Sequence, residues 1–222
     1  MNLTLFDLDG TLLVGDSDHA FGEFMVTLGW ADGQRFRDTN DRFYADYLAG
    51  QLDLDAYVAF TTAAWRDRDP AEIAAASERF TTEVVQPGLC ASALDLVRRH
   101  QDAGDTIALV TATNDFVTRP IAQLFGIERL IATELERDPA GRATGRVRGT
   151  PSFREGKIAR VQDWLTESGR QWSDFERTTF YSDSTNDLPL LERVSHPVAT
   201  NPGPQLERIA AERGWPILRL FT

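Results

Sequence analysis

The chain has 222 residues, 42% of them hydrophobic and 26% charged, with a formal net charge of −11. That length suits one large domain or a core carrying a smaller insert, and no apolar run approaches the roughly 18 residues that a membrane span requires. The acidic balance excludes general attraction to DNA, RNA or an anionic membrane surface, which is built on basic patches, but it suits a divalent cation and, through that cation, an anionic substrate.

The first residues, Met1-Asn2-Leu3-Thr4-Leu5-Phe6-Asp7, lack the basic and long apolar regions of a secretory signal, so a cytoplasmic location is expected. A single cysteine, Cys90, excludes an internal disulfide and a multi-cysteine zinc site. It is expected to be a small buried residue.

In chain order, residues 2–6 form a short apolar, β-prone run that stops at acids and a glycine, as a buried strand does where it meets a loop. From 16 to 85 no strand pattern occurs. Phe21, Phe24, Met25 and Leu28, then Phe43, Tyr44, Tyr47 and Leu48, then Tyr57 and Phe60 recur at helical spacing, which predicts a helical insert. The core resumes at Gln86-Pro87-Gly88 with a predicted helix over 90–103, a second strand over 106–110 and a helix over 117–125 stopped by Gly126. Residues 131–149 read as a β-hairpin turning at Pro139 to Gly141. A helix over 157–165, a third strand over 178–181 and a weaker fourth over 196–200 complete the pattern.

Strand, loop and helix in repetition predict an α/β fold, a Rossmann-like parallel sheet flanked by helices. Residues 1–15 and 86–222 are expected to form the core, with 16–85 a small helical cap domain inserted after the first strand and lying over the crevice. The polar clusters fall at the carboxyl ends of the strands, where such folds bind ligands.

Asp7 and Asp9 leave the first strand two residues apart, so extended backbone would put both carboxylates on one side. One can attack a phosphorus atom while the other protonates the leaving oxygen and later takes a proton from water. Gly10 permits a tight turn and Thr11 can cap it. Thr111, after the second strand, offers a hydroxyl beside backbone N–H groups that can hold phosphate oxygens. Lys157 is the only lysine among many arginines, which fits a position needing a compact ammonium charge. Asp183 and Asp187, in Ser182-Asp183-Ser184-Thr185-Asn186-Asp187 after the third strand, offer oxygen ligands of the kind Mg²⁺ prefers. His19, His100 and His196 show no metal-ligand spacing; His100 is expected at the surface, His196 in a turn, and His19 is the one candidate to face substrate.

Together these clusters resemble the four motifs of the haloacid dehalogenase-like hydrolase superfamily: Asp7-Leu8-Asp9-Gly10-Thr11, Thr111, Lys157, and Asp183 with Asp187. The helical insert and the 182–187 loop are similar to the phosphoserine phosphatase-like branch, with serines at both glycine positions of that loop. The resemblance implies Asp7 as nucleophile and metal ligand, Asp9 as general acid and base and metal ligand through its carbonyl, and Thr111 and Lys157 as phosphoryl binders. It further implies Asp183 as metal ligand and Asp187 as support to the metal site or to Lys157.

The same resemblance implies Mg²⁺ and a small phosphorylated metabolite, bound through Asp16, Thr111, Ala112 and Asn186 by a monomer or homodimer. Asp16 stands where phosphoserine phosphatases carry a glutamate facing the substrate's amine, and Ala112-Thr113 stands where they carry a glycine pair. Both changes reshape the pocket. The branch also includes phosphatases for histidinol phosphate and for phosphorylated choline or ethanolamine, so a phosphorylated amino acid, amino alcohol or similar metabolite is the expected substrate. Two rival readings are a metal-independent haloacid dehalogenase, which has no use for Asp9 or the Asp183 pair, and a phospho-accepting signalling module, which is about half this length and has no cap.

Overall fold

The computed structural model describes residues 1–221. The chain runs β1 (Asn2–Phe6), α1 (Ser17–Thr27), α2 (Gly33–Leu48), α3 (Leu54–Ala63), α4 (Pro70–Phe80), α5 (Ala91–Asp102), β2 (Thr106–Asn114) and α6 (Asp115–Leu124). It continues through β3 (Leu130–Thr133), β4 (Leu135–Arg137), β5 (Ala143–Val147), α7 (Glu155–Glu167), β6 (Arg177–Ser182), α8 (Leu188–Arg193), β7 (His196–Thr200), α9 (Pro204–Arg213) and β8 (Ile217–Leu218).

Six strands form one sheet in the order β3-β2-β1-β6-β7-β8, every neighbour parallel. The chain winds outward from β1 first to one side and then to the other, so the crevice lies at the carboxyl end of β1, where the order reverses. Side chains alternate across the sheet. Leu3 and Leu5 of β1 and Phe180 of β6 enter the apolar layer under α7, α8 and α9, with Val161, Leu165, Leu190 and Leu206. Phe6, Leu109, Tyr181 and Val198 face the other layer, with Val97, Val117 and Ile121. By the same alternation Asp7 and Ser182, the next residues on the first face, turn toward α7.

Three of the four helices between β1 and α5 start on a capping aspartate. Asp16, Asp53 and Asp69 accept hydrogen bonds from the backbone N–H of His19, Ala56 and Ala71, the usual task of an N-cap. The insert packs on the core: Trp65 stacks on Phe116 of α6 at 4.5 Å and Phe21 meets the same ring edge-on at 5.7 Å. The chain leaves the insert through one π-helical turn, Thr81–Val85, and a tight turn at Gln86–Gly88.

Some expectations need correction. The hairpin is only β4 with β5, because Ile131 belongs to the edge strand β3; β5 lies along α3, where Arg66 donates to the Thr144 carbonyl at 3.1 Å. Strand β2 runs four residues further than its apolar pattern, to Asn114, with its register broken after Val110. His100 is not a surface residue. Its Nδ1 lies 2.7 Å from Asp105 and its Nε2 2.9 Å from the Tyr181 hydroxyl, which ties α5 to β6 beneath Phe6. His196 lies in β7, not a turn, and Cys90 is half-buried at the start of α5, its Sγ 2.9 Å from Ser92 Oγ. Among the described residues no helix is long and apolar enough to cross a membrane.

Candidate active site

Asp7 follows β1, and its N–H donates to the Tyr181 carbonyl of β6 at 2.9 Å, so the sheet itself fixes its backbone. Its carboxylate, 5% exposed, accepts from Lys157 Nζ at 2.8 Å. Lys157 lies in the first turn of α7, 2% exposed, and donates equally to Asp187 at 2.8 Å, with the Phe180 ring 5.7 Å from its ammonium. Ser182 donates to the same Asp187 carboxylate at 2.7 Å. Burial works to lower the Lys157 value, and the carboxylates of Asp187 and Asp7 overcome it and hold the ammonium above its ordinary range. The ammonium lies within 2.8 Å of one Asp7 oxygen and of both Asp187 oxygens.

The chain stops being a strand at Phe6 and turns at Gly10, and Asp9 takes partners of its own. The Asp9 carboxylate accepts from the Ser17 N–H at 2.7 Å and from the Thr113 hydroxyl at 2.9 Å. Gly10 adopts φ +71°, and a methyl added there would overlap the Asp183 carboxylate. Glycine is therefore required twice at this position, for the turn and for the approach of Asp183. The Thr11 hydroxyl sits between Asp7 Oδ2 and Asp183 Oδ1, 3.3 and 3.2 Å from them, which brings these two carboxylates to one point.

Among the described residues no three His, Cys, Asp or Glu side chains converge as a metal site. Asp187 is committed to Lys157 and Ser182, and the Asp9 side chain to Ser17 and Thr113. What remains is two carboxylates, Asp7 and Asp183, beside the Asp9 backbone. That all-oxygen, low-count donor set fits Mg²⁺, which keeps several waters and takes few protein ligands.

Asp7 and Asp9 open onto a chamber of about 40 Å³, also lined by Thr111, Ala112, Thr113 and Asn114 from the core and by Asp16, Asp18, Phe43, Tyr44, Tyr47 and Tyr57 from the insert. Thr111, buried, accepts from the Thr113 N–H at 3.1 Å, which leaves its hydroxyl proton free. Asn186 lies elsewhere: its amide donates to the Tyr47 carbonyl at 3.1 Å, and Arg154 donates to the Gly50 carbonyl close by. Both thus satisfy carbonyls at the carboxyl end of α2, where a helix has bare acceptors and welcomes a cation. Arg154 holds φ +52°, an uncommon conformation for a residue other than glycine. His19 does not line the chamber; its Nε2 is 2.8 Å from Asp41.

Ser17, Asp18 and Arg154 are not among the residues to which the sequence points, and Thr113 stands out there only as the absence of a glycine. Asp18 had a usable signal, an acid two positions from Asp16 at a helix start. The others act through contacts distant in sequence.

Burial pushes Asp7 up to about 7, with Asp187 and Asp9 adding and Lys157 opposing. Burial and then the Asp16 charge push Asp9 up to about 7, against the bonds from Ser17 and Thr113. Asp18 is pushed up to about 8 by burial, then by Asp16 and Asp9. An unfolded chain titrates these groups near about 4, so the folded state holds their protons more tightly. The resulting stability is full below about 4 and is lost as pH rises through 7 to 8. Scanning calorimetry in EDTA should therefore show Tm falling from pH 5 to pH 8.5; a Tm that rises over this span contradicts the burial of these acids.

A sequence model of the haloacid dehalogenase-like hydrolase family matches residues 4–192. A histidinol-phosphatase of Neisseria meningitidis serogroup C (strain 8013) is 44% identical over 217 residues, 98% of each chain. The crystal structure of a protein of unknown function from Bordetella pertussis Tohama I has TM-score 0.93 at 48% identity, covering 99% of each chain. A substrate-bound phosphoserine phosphatase has TM-score 0.69 at 17% identity, covering 97% of this chain and 91% of that one, a likeness of fold.

Proposed function

Because the chain belongs to the haloacid dehalogenase-like hydrolase family, we propose that this phosphatase uses Asp7 as nucleophile and Asp9 as acid and base, with Mg²⁺, to hydrolyse a small phosphorylated amine. Phosphoric monoester hydrolysis follows from the family and from the identity to the Neisseria enzyme. The observation that carries the rest is the buried Asp7–Lys157–Asp187 chain at the end of β1, opening on a chamber that Asp9 shares.

In the first step an Asp7 oxygen bonds to phosphorus as the bond to the leaving oxygen breaks, and Asp9 gives that oxygen its proton. In the second, Asp9 takes a proton from water as the water oxygen bonds to phosphorus, and the bond to Asp7 breaks. A carboxyl poised near neutrality serves both directions. Lys157 and the Thr111 hydroxyl supply donors to the phosphoryl oxygens. Asp7, Asp183 and the Asp9 carbonyl would hold Mg²⁺, which supplies neutralising charge to the phosphoryl group. Residues 16–85 act as the cap: a chamber of about 40 Å³ holds about three waters, so substrate must enter with the insert displaced.

The chamber is acidic and aromatic, with Asp16 and Tyr44 among its walls, which suits a protonated amine. With the Neisseria enzyme as relative, histidinol phosphate is the leading candidate. A screen in Mg²⁺ should place phosphorylated amines at least about tenfold above sugar phosphates and nucleotides in kcat/KM, with EDTA removing the activity and Mg²⁺ restoring it. Release of phosphate from none of these substrates would overturn the reading.

A further inference from the structure

The carboxylates around the chamber are not equally provided for. Asp7 is met by Lys157, Asp9 by the Ser17 N–H and Thr113, and Asp16 caps α1. Asp18 is 6% exposed, and its surroundings are neutral: it accepts from the Asn114 amide at 3.0 Å, and the Tyr57 hydroxyl stands close to it. Burial, then the Asp18 charge, hold the Tyr57 hydroxyl well above its ordinary value, so it stays a donor. A buried carboxylate is costly unless a proton or a cation balances it. One of its roughly four lone-pair sites is engaged, by Asn114, and the residue lines the chamber wall.

The surroundings narrow the ligand chemistry. Phe43, Tyr44 and Tyr57 line the chamber beside Leu52, Leu54 and Val58. A compact ammonium would leave these faces unused, whereas a flat cationic ring stacks on an aromatic face and donates an N–H from its edge to a carboxylate. We propose that Asp18, positioned by Tyr57 and Asn114, is the specificity-determining residue that accepts an N–H from a planar cationic ring, of imidazolium type, at the end of the substrate away from the phosphate. This rests on reading the chain as a phosphatase for a small amine, and it adds a second recognition point to Asp16. Asp18 belongs to α1, Tyr57 to α3 and Asn114 to the end of β2. The ring site is therefore complete only when the insert lies on the core.

The test compares kcat/KM for L-histidinol phosphate and for O-phosphoethanolamine, which has an amine and no ring, in the wild type, Asp18→Asn and Tyr57→Phe. The ratio of the two constants should fall about 10²-fold in Asp18→Asn and about tenfold in Tyr57→Phe, in the manner of sites that lose a hydrogen bond to substrate. Tyr57→Phe keeps the ring and the packing, so it reads the site even where Asp18→Asn folds poorly. Calorimetry with L-histidinol, which needs no turnover, should show binding to the wild type weakened at least tenfold by either variant. An unchanged ratio in both variants, or wild-type binding of L-histidinol no tighter than that of ethanolamine, overturns the proposal. Wild-type binding of L-histidinol that depends on Asp18, without release of phosphate from any ester, would instead overturn the phosphatase reading and leave the ring site standing.

Discussion

Asp7→Asn is expected to lower kcat for para-nitrophenyl phosphate by about 10⁴–10⁶-fold in saturating Mg²⁺, the scale on which enzymes lose rate when an attacking group is removed. The substitution keeps the size of the side chain and an oxygen that can accept from Lys157 at the 2.8 Å contact, so the loss falls on chemistry before architecture. Asp9→Asn should behave differently. Its role is proton transfer, worth about 10²–10⁴-fold, and para-nitrophenolate leaves without needing a proton. The Asp9 variant should therefore form phosphorylated Asp7 faster than it hydrolyses it, seen as a burst of para-nitrophenolate in rapid-quench or stopped-flow traces. More than a trace of turnover in Asp7→Asn removes Asp7 as the nucleophile; absence of a burst in Asp9→Asn places the proton transfer elsewhere.

The second large effect is on stability. Lys157→Ala leaves Asp7 and Asp187, 5% and 2% exposed, without the cation that both contact. Breaking a buried ion pair by removing one partner costs about 3–5 kcal/mol, and for a chain of this size each kcal/mol lowers Tm by about 2–4 °C. A drop of about 10 °C is expected. It should be smaller at pH 5 than at pH 8, because the orphaned carboxyls can take up protons at the lower pH. Lys157→Arg should not rescue, since the guanidinium is larger and planar and the site is closed by the Phe180 ring at 5.7 Å. Adding Asp187→Asn to Lys157→Ala should recover part of the lost Tm and none of the activity. If Lys157→Ala unfolds at the wild-type temperature by differential scanning calorimetry, the ammonium is not what makes these buried acids tolerable.

What could be read before folding was what is local. Residues 2–6, 106–110, 178–181 and 196–200 announce strands because buried parallel strands need unbroken β-prone apolar runs, and the acids that follow them stand where parallel sheets bind ligands. Lys157 was legible by its rarity. What escaped depends on which distant segments meet. Strand β8 is two residues long, too short to carry a pattern, and β3 looked like one arm of a hairpin because only its pairing with β2 distinguishes it. Asp7 and Asp9 both line the chamber, although the strand itself ends at Phe6. Asn186 sits in the expected motif, yet its amide serves the Tyr47 carbonyl across 139 positions, a distance over which spacing carries no information. Thr113 was visible only as the absence of a glycine; its hydroxyl on Asp9 gives that absence a use.

The narrow chamber has a consequence for measured affinity. In the proposed reading of residues 16–85 as a cap, with about 40 Å³ free beside Asp7, free substrate meets only the fraction of molecules that are open. The apparent dissociation constant is the intrinsic one divided by that fraction. In that reading, opening would part the carboxyl end of α2 from Arg154 and Asn186, which now hold it. Weakening that contact would enlarge the receptive population and tighten apparent binding without altering a single group that touches the substrate, while shortening the time for which each captured molecule is kept from water.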